Sequence, residues 1–260
     1  MTKSAVEIWD RDRLQNPHAV ADKQKRVQNM FAAIAPSYDL NNRLWSGGTD
    51  QRWRRRAVKL SKLKPGDRVV DVACGTGDLT LAYAKALAGL RGRAVDPAQV
   101  IGVDYTYEML PPGRTKATDD ARFPLLQGDA QNLPLPDVSA DVVSIAFGIR
   151  NVADSNKAYA EFRRVLRPGG RAVVLEFSKP TNRVLRFGYD LYFNHVLTRL
   201  AALVARDKTG AYRYLASSVE TFKPREQMVA ELETAGFERV EQHPLTFGIA
   251  VIYVGHAPAS

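Results

Sequence analysis

The stretch from Val69 to Thr80, with the sequence VVDVACGTGDLT, constrains the fold of this chain more than any other. An apolar run leads into two glycines, Gly75 and Gly77, and a helix-forming pattern follows at once. This succession is typical of a buried parallel strand, a tight turn and a helix N-terminus. Glycine lets the backbone approach a ligand closely, and the free N–H groups of the first helical turn face the same place. The stretch therefore predicts a ligand site at the end of a strand.

Strand and helix patterns alternate after this turn, which predicts a doubly wound sheet of parallel strands. The predicted strands, in chain order, are Val69–Val72, Val100–Val103, Phe123–Gln127, Asp141–Phe147 and Arg171–Phe177. The predicted helices between and after them are Leu79–Leu90, Asn156–Leu166 and Arg225–Ala235. Arg239–Pro244 and Gly248–Gly255 should close the sheet edge as an antiparallel hairpin. Ligands of such sheets bind beyond the carboxyl ends of the strands.

The chain divides by its patterns into regions that differ in order and role. The predicted regions are a loosely ordered leader at residues 1–24, a helical cover at 25–64, and a main domain at 65–260 with substrate-side helices at about 181–222. Within the cover, a helical stripe from Val27 should stop near Ala35 because Pro36 follows. Residues 38–42 then read as a turn-rich piece, and Gln51 to Leu60 as a basic helix.

The net charge of +9 is distributed unevenly along the chain. Residues 1–64 hold 14 Lys and Arg against 6 Asp and Glu. Such a basic region is typical of proteins that meet an anionic membrane surface or nucleic acid, although an ordinary solvated surface explains it equally well. The only cysteine is Cys74, which excludes a disulfide framework and suits a reducing compartment such as the cytoplasm. No apolar run approaches the roughly 18 residues of a membrane-spanning helix.

Acidic residues at the strand ends indicate which ligand the glycine turn accepts. A dinucleotide fingerprint requires a third glycine where Thr80 stands, so a nicotinamide-dependent oxidoreductase is disfavoured. Asp104 ends the second strand, where its carboxylate can accept two ribose hydroxyls, or can cap the following helix. Asp129 follows the third strand and can accept a hydrogen bond from an adenine amino group, or can be a simple loop residue. Together these residues favour an adenosine without phosphate, which points to S-adenosylmethionine.

Several other stretches resemble the menaquinone/ubiquinone biosynthesis C-methyltransferase family, within the class I methyltransferases. They run from about Val27 to His256 and include SYDLNN, FGIRNVAD, LEFSKP and AYRYLASSV beside the glycine turn. The turn is shared by many methyltransferases, whereas FGIRN together with LEFSKP and SYDLNN is specific. The resemblance implies a Rossmann-like α/β fold with a seven-stranded, mostly parallel sheet, helices on both faces and an N-terminal helical cover. It also implies methyl transfer from S-adenosylmethionine to a ring carbon of a polyprenylated quinol.

The resemblance further implies roles for single residues. Thr76, Asp104 and the pair Asp129-Ala130 should line the cofactor, beside the backbone of Gly75 and Gly77. Arg150 and Asn151, just past the fourth strand, should lie at the reacting edge. Arg150 would stabilise an ionised ring oxygen, unless it merely pairs with an acid such as Asp154, and Asn151 would hold a water that takes the proton. Tyr38 is a candidate lid residue, although it fits an apolar packing position as well.

Two departures from the family pattern bear on the site. Ala146 stands where relatives often carry a hydroxyl, and Asp50-Gln51 stand where a His-Arg pair is usual. The favoured substrate is demethylmenaquinol, which would become menaquinol. The alternatives are the benzoquinol precursor of ubiquinone and a small molecule of another pathway. Phe187–Ala205 would build an apolar tunnel for the isoprenoid tail.

The remaining expectations concern partners and location. No metal is expected, and no nucleic acid, because the end of the fourth strand lacks the Asn/Asp-Pro-Pro-aromatic tetrapeptide of amino-methylating nucleic-acid enzymes. Many class I enzymes dimerise, so a homodimer is among the expectations. The lipophilic substrate and the basic segment 52–64 suggest a cytoplasmic protein in peripheral contact with the anionic inner face of the membrane.

Overall fold

The computed structural model describes residues 9–10, 12–92, 94–119, 121–180, 186 and 210–259. The predicted tail tunnel at Phe187–Ala205 lies outside these residues. The strands, in chain order, are β1 Val69–Val72, β2 Val100–Asp104, β3 Leu125–Gln127, β4 Ala140–Ala146, β5 Leu166–Phe177, β6 Glu238–Leu245 and β7 Ala250–His256. The described helices are α1 Lys23–Ile34, α2 Tyr38–Ser46, α3 Thr49–Leu60, α4 Asp78–Arg91, α5 Leu110–Arg114, α6 Ser155–Val165, α7 Ala211–Glu220 and α8 Arg225–Thr234.

The seven strands form one sheet in the order β3-β2-β1-β4-β5-β7-β6. All neighbours from β3 to β5 pair in parallel, whereas β7 runs antiparallel between β5 and β6. This confirms the predicted mostly parallel sheet and its closing hairpin. β3 begins later than predicted, at Leu125, because Pro124 has no N–H to donate to a ladder. The order places β1 and β4 side by side at the centre, with β2 next to β1.

Each face of the sheet carries its own apolar core, as a doubly wound fold requires. One core packs Tyr159 and Phe162 of α6 against β4 and β5. The other packs Trp53 of α3 and Tyr83 of α4 against β1 and β4. Burying one such aromatic side chain contributes about 1.5–3 kcal/mol, so both faces help to hold the strand ends in register.

The N-terminal cover is more helical than the sequence predicts. The turn-rich piece expected at residues 38–42 is wrong, because those residues belong to α2. Pro36 stands near the start of a short 3₁₀ turn, where its missing N–H leaves no helical hydrogen bond unmade. The chain therefore re-enters a helix at once, and α2 ends only at Gly47, which adopts a left-handed φ of 56°.

The described part of the leader contains regular turns and a buried tryptophan. Residues 13–15 and 17–19 form short 3₁₀ turns. Trp9 is fully buried, and its ring stacks on Tyr214 of α7 at a centroid distance of 4.4 Å. Together with Val27 and Met30 of α1, these aromatic rings form a third, smaller core. The leader is therefore held against the main domain by apolar contacts. These contacts join residues that are far apart in the sequence.

Candidate active site

One cavity lies where the carboxyl ends of β1, β2, β3 and β4 meet the N-terminal cover, and it encloses about 710 Å³ of empty space, including its open mouth. Of the residues predicted from sequence, those that line it are Tyr38, Gly75, Asp104, Asp129, Ala130 and Asn151. The other predicted residues, Thr76, Gly77 and Arg150, lie outside its lining. Six of the nine residues predicted from sequence therefore line one cavity, and three do not.

The glycine turn brings bare backbone to the cavity. Gly75 has a φ of 55°, in the left-handed region that favours glycine. A Cβ at this position would stand 3.4 Å from Met109 Cε and 3.9 Å from Tyr38 Cε1, on the side from which the cover closes the site. Gly77 also has a positive φ, of 76°, and serves as the cap residue from which α4 starts. Gly75 therefore keeps space open for a ligand, whereas Gly77 shapes the turn.

Asp104 ends β2 with its carboxylate turned back to the glycine turn. Its Oδ2 accepts a hydrogen bond from the Gly75 N–H at 2.7 Å, and its Oδ1 accepts one from the Thr106 N–H at 2.8 Å. Burial raises the pKa of Asp104 to about 6, in spite of these two donors. Each oxygen keeps a second lone pair, so the carboxylate can still accept hydrogen bonds from a ligand.

Asp129 follows β3 and joins the cavity to the cover. Its Oδ1 accepts a hydrogen bond from the Gln131 N–H at 2.9 Å, in the manner of a loop residue. Its Oδ2 accepts one from Gln24 Nε2 of α1 at 2.8 Å. Gln24 lines the cavity too. Asp129 is thus both a loop residue and part of the cavity lining. Gln24 is a further residue of this site that the sequence analysis did not identify.

Aromatic rings of the cover line the cavity, and a buried lysine joins the cover to the main domain. Tyr38 and Phe31 line the cavity, and their rings meet edge to face at 6.0 Å. Lys23 of α1 donates hydrogen bonds of 2.8 Å to the carbonyls of both Arg150 and Val152, just beyond β4. Burial lowers the pKa of Lys23 to about 8, and nearby cations act in the same direction. The cover is therefore joined to the main domain on the β4 side of the site.

A second connection joins the cover to the glycine turn and explains why Thr76 is not free to face the cavity. The Thr76 hydroxyl donates to Asp39 Oδ1 of α2 at 2.5 Å and accepts from Lys116 Nζ at 3.0 Å. Lys116 also pairs with Asp39 at 2.6 Å and with Asp78 of α4 at 2.5 Å. Although burial alone would raise it, the hydrogen bond and charge of Lys116 hold the pKa of Asp78 below its ordinary value. These four side chains therefore join the cover to the glycine turn and to α4.

We expect Lys116→Met to open the cover. The variant leaves two partly buried carboxylates facing each other, and hydrogen bonds to charged groups contribute about 1.5–3 kcal/mol each. Amide hydrogen exchange across α2 should accelerate by roughly 10- to 100-fold, while β1 amides keep their wild-type rates. Lys157→Met, which removes an exposed lysine from α6, is the matched control. Unchanged exchange in α2 would show that Lys116 does not hold the cover.

Arg150 lies behind the cavity wall, where its charge is already compensated. Its side chain is 6% exposed, and its Nη1 pairs with Glu176 Oε1 of β5 at 2.7 Å. The same Nη1 donates to the Phe147 carbonyl at 2.6 Å, and the guanidinium lies 5.3 Å from the centre of the Phe177 ring. The alternative that Arg150 pairs with an acid such as Asp154 is wrong about the partner, because Asp154 caps the N-terminus of α6. An arginine so paired holds the end of β4 in shape rather than facing a ligand.

Asn151, by contrast, reaches the cavity. Its Nδ2 donates to the Phe147 carbonyl at 3.3 Å, and its Oδ1 accepts from the Tyr214 hydroxyl of α7 at 2.8 Å. Phe147 itself has a left-handed φ of 58° at the point where β4 ends. Such strain in a non-glycine residue is retained where the surroundings fix it, and it clusters at functional sites. Phe147 lines the cavity as well, and its place directly after a strand could have predicted this.

Asp71 connects the strand and helix that flank the turn. Its Oδ2 accepts a hydrogen bond of 2.6 Å from the Thr80 hydroxyl of α4, and the carboxylate is buried in the sheet. Burial raises the pKa of Asp71 to about 7. Asp71 is not part of the cavity lining. It thus connects β1 to the start of α4 and does not face the cavity.

Solved structures of methyltransferases share the fold of this chain. A chain from the complex between the Haloferax volcanii Trm112 methyltransferase activator and a methyltransferase superposes with a TM-score of 0.59 at 21% identity, covering 88% of this chain and 97% of that one. A SAM-dependent methyltransferase from Thermotoga maritima superposes with a TM-score of 0.55 at 22% identity, covering 88% and 99%. At 21–22% identity, this structural similarity shows a shared fold and nothing about function.

The chain belongs to the ubiE/COQ5 methyltransferase family, which it matches over residues 19–257. It is 47% identical over 232 residues to the demethylmenaquinone methyltransferase of Thermus thermophilus, covering 88% of this chain and 100% of that protein. It is 41% identical over 238 residues to the ubiquinone/menaquinone biosynthesis C-methyltransferase UbiE of Teredinibacter turnerae, covering 90% and 92%. The protein is therefore a methyltransferase that uses S-adenosylmethionine, which confirms the enzyme class and cofactor predicted from sequence.

The cavity fits this cofactor. A Cβ at Gly75 would lie against Met109 and Tyr38, which both line the cavity, so the glycine keeps the space beside the turn open. Asp104 presents an ionisable carboxylate with free lone pairs, and Asp129 presents a second one at the next strand end. The described residues contain no group of three or more His, Cys, Asp or Glu side chains placed to hold a metal ion.

Proposed function

We propose that the protein transfers the S-adenosylmethionine methyl group to a ring carbon of a polyprenylated quinol, with demethylmenaquinol as the substrate. The observation that supports this most is that one cavity is lined both by acids at strand ends and by aromatic rings. Asp104 and Asp129 follow β2 and β3, and Phe31, Tyr38 and Phe147 line the same cavity together with Asn151. The Thermus relative, matched over its whole length, is named a demethylmenaquinone methyltransferase, which favours the naphthoquinol ring.

In this proposal Asp104 accepts hydrogen bonds from both ribose hydroxyls, and Asp129 accepts one from the adenine amino group. S-adenosylmethionine, when bound, supplies an electrophilic sulfonium methyl. The cavity holds the quinol ring in line with that methyl, and such positioning can supply much of the rate acceleration. Tyr38 and Phe31 exclude water from above. Each of these roles uses a residue that lines the cavity in its present conformation.

The ring carbon becomes nucleophilic when a neighbouring phenol loses its proton, because the negative charge then spreads to the ortho carbon. That carbon forms a bond to the methyl, and the carbon–sulfur bond breaks with its electron pair on sulfur. The ring proton then passes to water, which restores the aromatic ring as its phenolate. The phenolate oxygen takes up a proton from water to give the methylated quinol, so that one proton is released overall. Asn151 can donate a hydrogen bond to the ionised oxygen, worth about 1.5–3 kcal/mol. Arg150 acts indirectly, because its contact with the Phe147 carbonyl supports the strand end that carries Asn151.

Methyl transfer to the two candidate rings tests the proposal. Purified protein is incubated with radiolabelled S-adenosylmethionine and either reduced demethylmenaquinone or the reduced benzoquinol precursor of ubiquinone, side by side. We expect label in the first product, at a kcat/KM well above that for the second. Preference for the benzoquinol would assign the alternative substrate, and no transfer to either would refute quinol methylation.

We further propose that the protein works in peripheral contact with the anionic cytoplasmic face of the membrane, where such a quinol resides. No described helix has the length and apolar character needed to cross a bilayer. The exposed side chains of α3 form one basic stripe of Arg52, Arg55, Arg56 and Lys59. Near it, Phe247 is 76% exposed at the tip of the β6–β7 hairpin, with a left-handed φ of 57°. A hydrogen bond of 2.9 Å from Trp53 Nε1 to Thr246 Oγ1 fixes this tip to α3.

Phe247 should act as the apolar contact of this surface, since it lies at the carboxyl edge of the sheet, where Phe177 pairs with Ala250. Burying a phenyl ring contributes about 1.5–3 kcal/mol, and each basic residue near an anionic surface about 1 kcal/mol. Phe247→Gly relieves the strained φ and should weaken binding to vesicles with anionic lipid by roughly tenfold in a sedimentation assay. Leu90→Ser, which removes another exposed apolar side chain, should bind like the wild type. Equal binding by the Phe247 variant would contradict this contact.

A further inference from the structure

We propose that Tyr214 is a positioning residue that fixes the Asn151 carboxamide so that it presents an N–H donor to the reacting ring oxygen. The inference rests on the proposed function, because it assigns the donor for the ionised quinol oxygen. Tyr214 lies on α7, 63 residues beyond Asn151 in the chain, and does not line the cavity. Its effect on the reaction would pass through Asn151.

The orientation of the amide follows from the chemistry of its two neighbours. The Phe147 carbonyl can only accept, so the nitrogen of the Asn151 amide must face it, at 3.3 Å. The amide oxygen then faces the Tyr214 hydroxyl at 2.8 Å. An amide oxygen can only accept as well, so the hydroxyl must donate. The two contacts together exclude the flipped amide, which would set two acceptors against each other at Phe147.

What remains unused on Asn151 is a second N–H and a lone pair. The amide nitrogen carries two hydrogens, of which the Phe147 carbonyl takes one. Asn151 lines the cavity between Gly148 and Val152. A donor held there favours the charged form of a phenol that accepts its hydrogen bond, and so lowers the pKa of that phenol. Without the Tyr214 bond, only the 3.3 Å contact with the Phe147 carbonyl orients the amide. The amide would then rotate more easily, and a rotated amide would turn its oxygen toward the anion and repel it.

The surroundings hold Tyr214 rigidly in place. The residue is 1% exposed, and the ring stacks on Trp9 from the leader with an interplanar angle of 29°. Burial raises the pKa of Tyr214, so the hydroxyl keeps the proton that it donates. The charged groups that act on it are Arg150 and Glu176, which are paired with each other. The ordered leader therefore supports the site from a distance.

Tyr214→Phe removes the hydroxyl and keeps the stacked ring. We expect kcat for quinol methylation to fall by about tenfold or more, with the KM for S-adenosylmethionine unchanged. The pH at which kcat is half-maximal should move upward, because the substrate phenol loses a stabilising donor. A general loss of packing would lower kcat at every pH without moving that midpoint. Tyr159→Phe is the matched control, since its hydroxyl is equally buried but contacts only Met228 Sδ at 3.7 Å.

A double-mutant cycle with Asn151→Ala completes the test. If Tyr214 acts through Asn151, its substitution has no further effect on kcat or on the pH midpoint in the Asn151→Ala background. Additive effects, or a Tyr214→Phe variant with the wild-type kcat and midpoint, would overturn the inference. These outcomes differ from failure of the proposed function, in which the wild-type protein itself transfers no methyl group to either quinol.

Discussion

Asp104→Ala should reduce S-adenosylmethionine affinity by at least 100-fold in isothermal calorimetry. In the variant, the two ribose hydroxyls would lose their hydrogen bonds to the carboxylate. Each hydrogen bond to a charged group contributes about 1.5–3 kcal/mol. The variant also frees the buried N–H groups of Gly75 and Thr106, which now donate to Asp104. Glu108→Ala, which removes an exposed acid from the same loop, should leave the affinity unchanged.

The pH dependence of binding gives an independent check on the same residue. Only the ionised carboxylate accepts both ribose hydroxyls, and burial raises the pKa of Asp104 to about 6. The affinity of the wild-type protein should therefore be level above about pH 7 and fall by up to about tenfold per unit as the pH falls through 6. This fall should disappear in Asp104→Ala. If it persists in the variant, another group such as Asp71 is responsible, and the assignment of Asp104 is wrong.

Arg150→Met should destabilise the protein by about 3–5 kcal/mol in chemical denaturation. The change leaves the buried Glu176 carboxylate without its cationic partner, and an uncompensated buried charge is costly. The Phe147 carbonyl loses its strongest donor at the same time. Adding Glu176→Gln to the Arg150→Met variant removes the unpaired carboxylate as well. The double variant should regain part of the lost free energy of unfolding.

Arg164→Met is the comparison for this effect. Arg164 also forms short ion pairs, with Asp137 and Glu161, but its side chain is 29% exposed. Exposed pairs contribute about 0–1 kcal/mol, so its loss should be small. Equal losses for the two arginines would show that burial of the Arg150–Glu176 pair is not what stabilises the end of β4.

The parts of the site that could be predicted from sequence are those that local pattern determines. A strand followed by two glycines, and acids at the ends of the next two strands, place Gly75, Asp104 and Asp129 together, because the carboxyl ends of parallel strands meet at one edge. The same rule applies to Phe147, which directly follows β4. Asn151 was found through the FGIRN stretch rather than through any pattern of its own.

The parts that could not be predicted depend on partners far along the chain. Glu176, not Asp154, pairs with Arg150, and the two are brought together only by the β4–β5 pairing. Lys116, two residues beyond α5, contacts both Thr76 of the glycine turn and Asp39 of α2, and no local signal in the sequence encodes these contacts. The helical state of residues 38–46 was missed because a proline near the start of a 3₁₀ turn looks, in sequence, like a helix stop.

The position of the transferred methyl tests the central claim most directly, which is that this cavity aligns a quinol ring carbon with the donor methyl. Reduced demethylmenaquinone is methylated with S-adenosylmethionine carrying a ¹³C methyl group, and the product is examined by carbon NMR. We predict one labelled methyl group bonded to a ring carbon, and far less of it when Asp104→Ala replaces the wild-type protein at the same sub-saturating S-adenosylmethionine concentration. A labelled methyl group on oxygen, or equal labelling with the variant, would contradict the account.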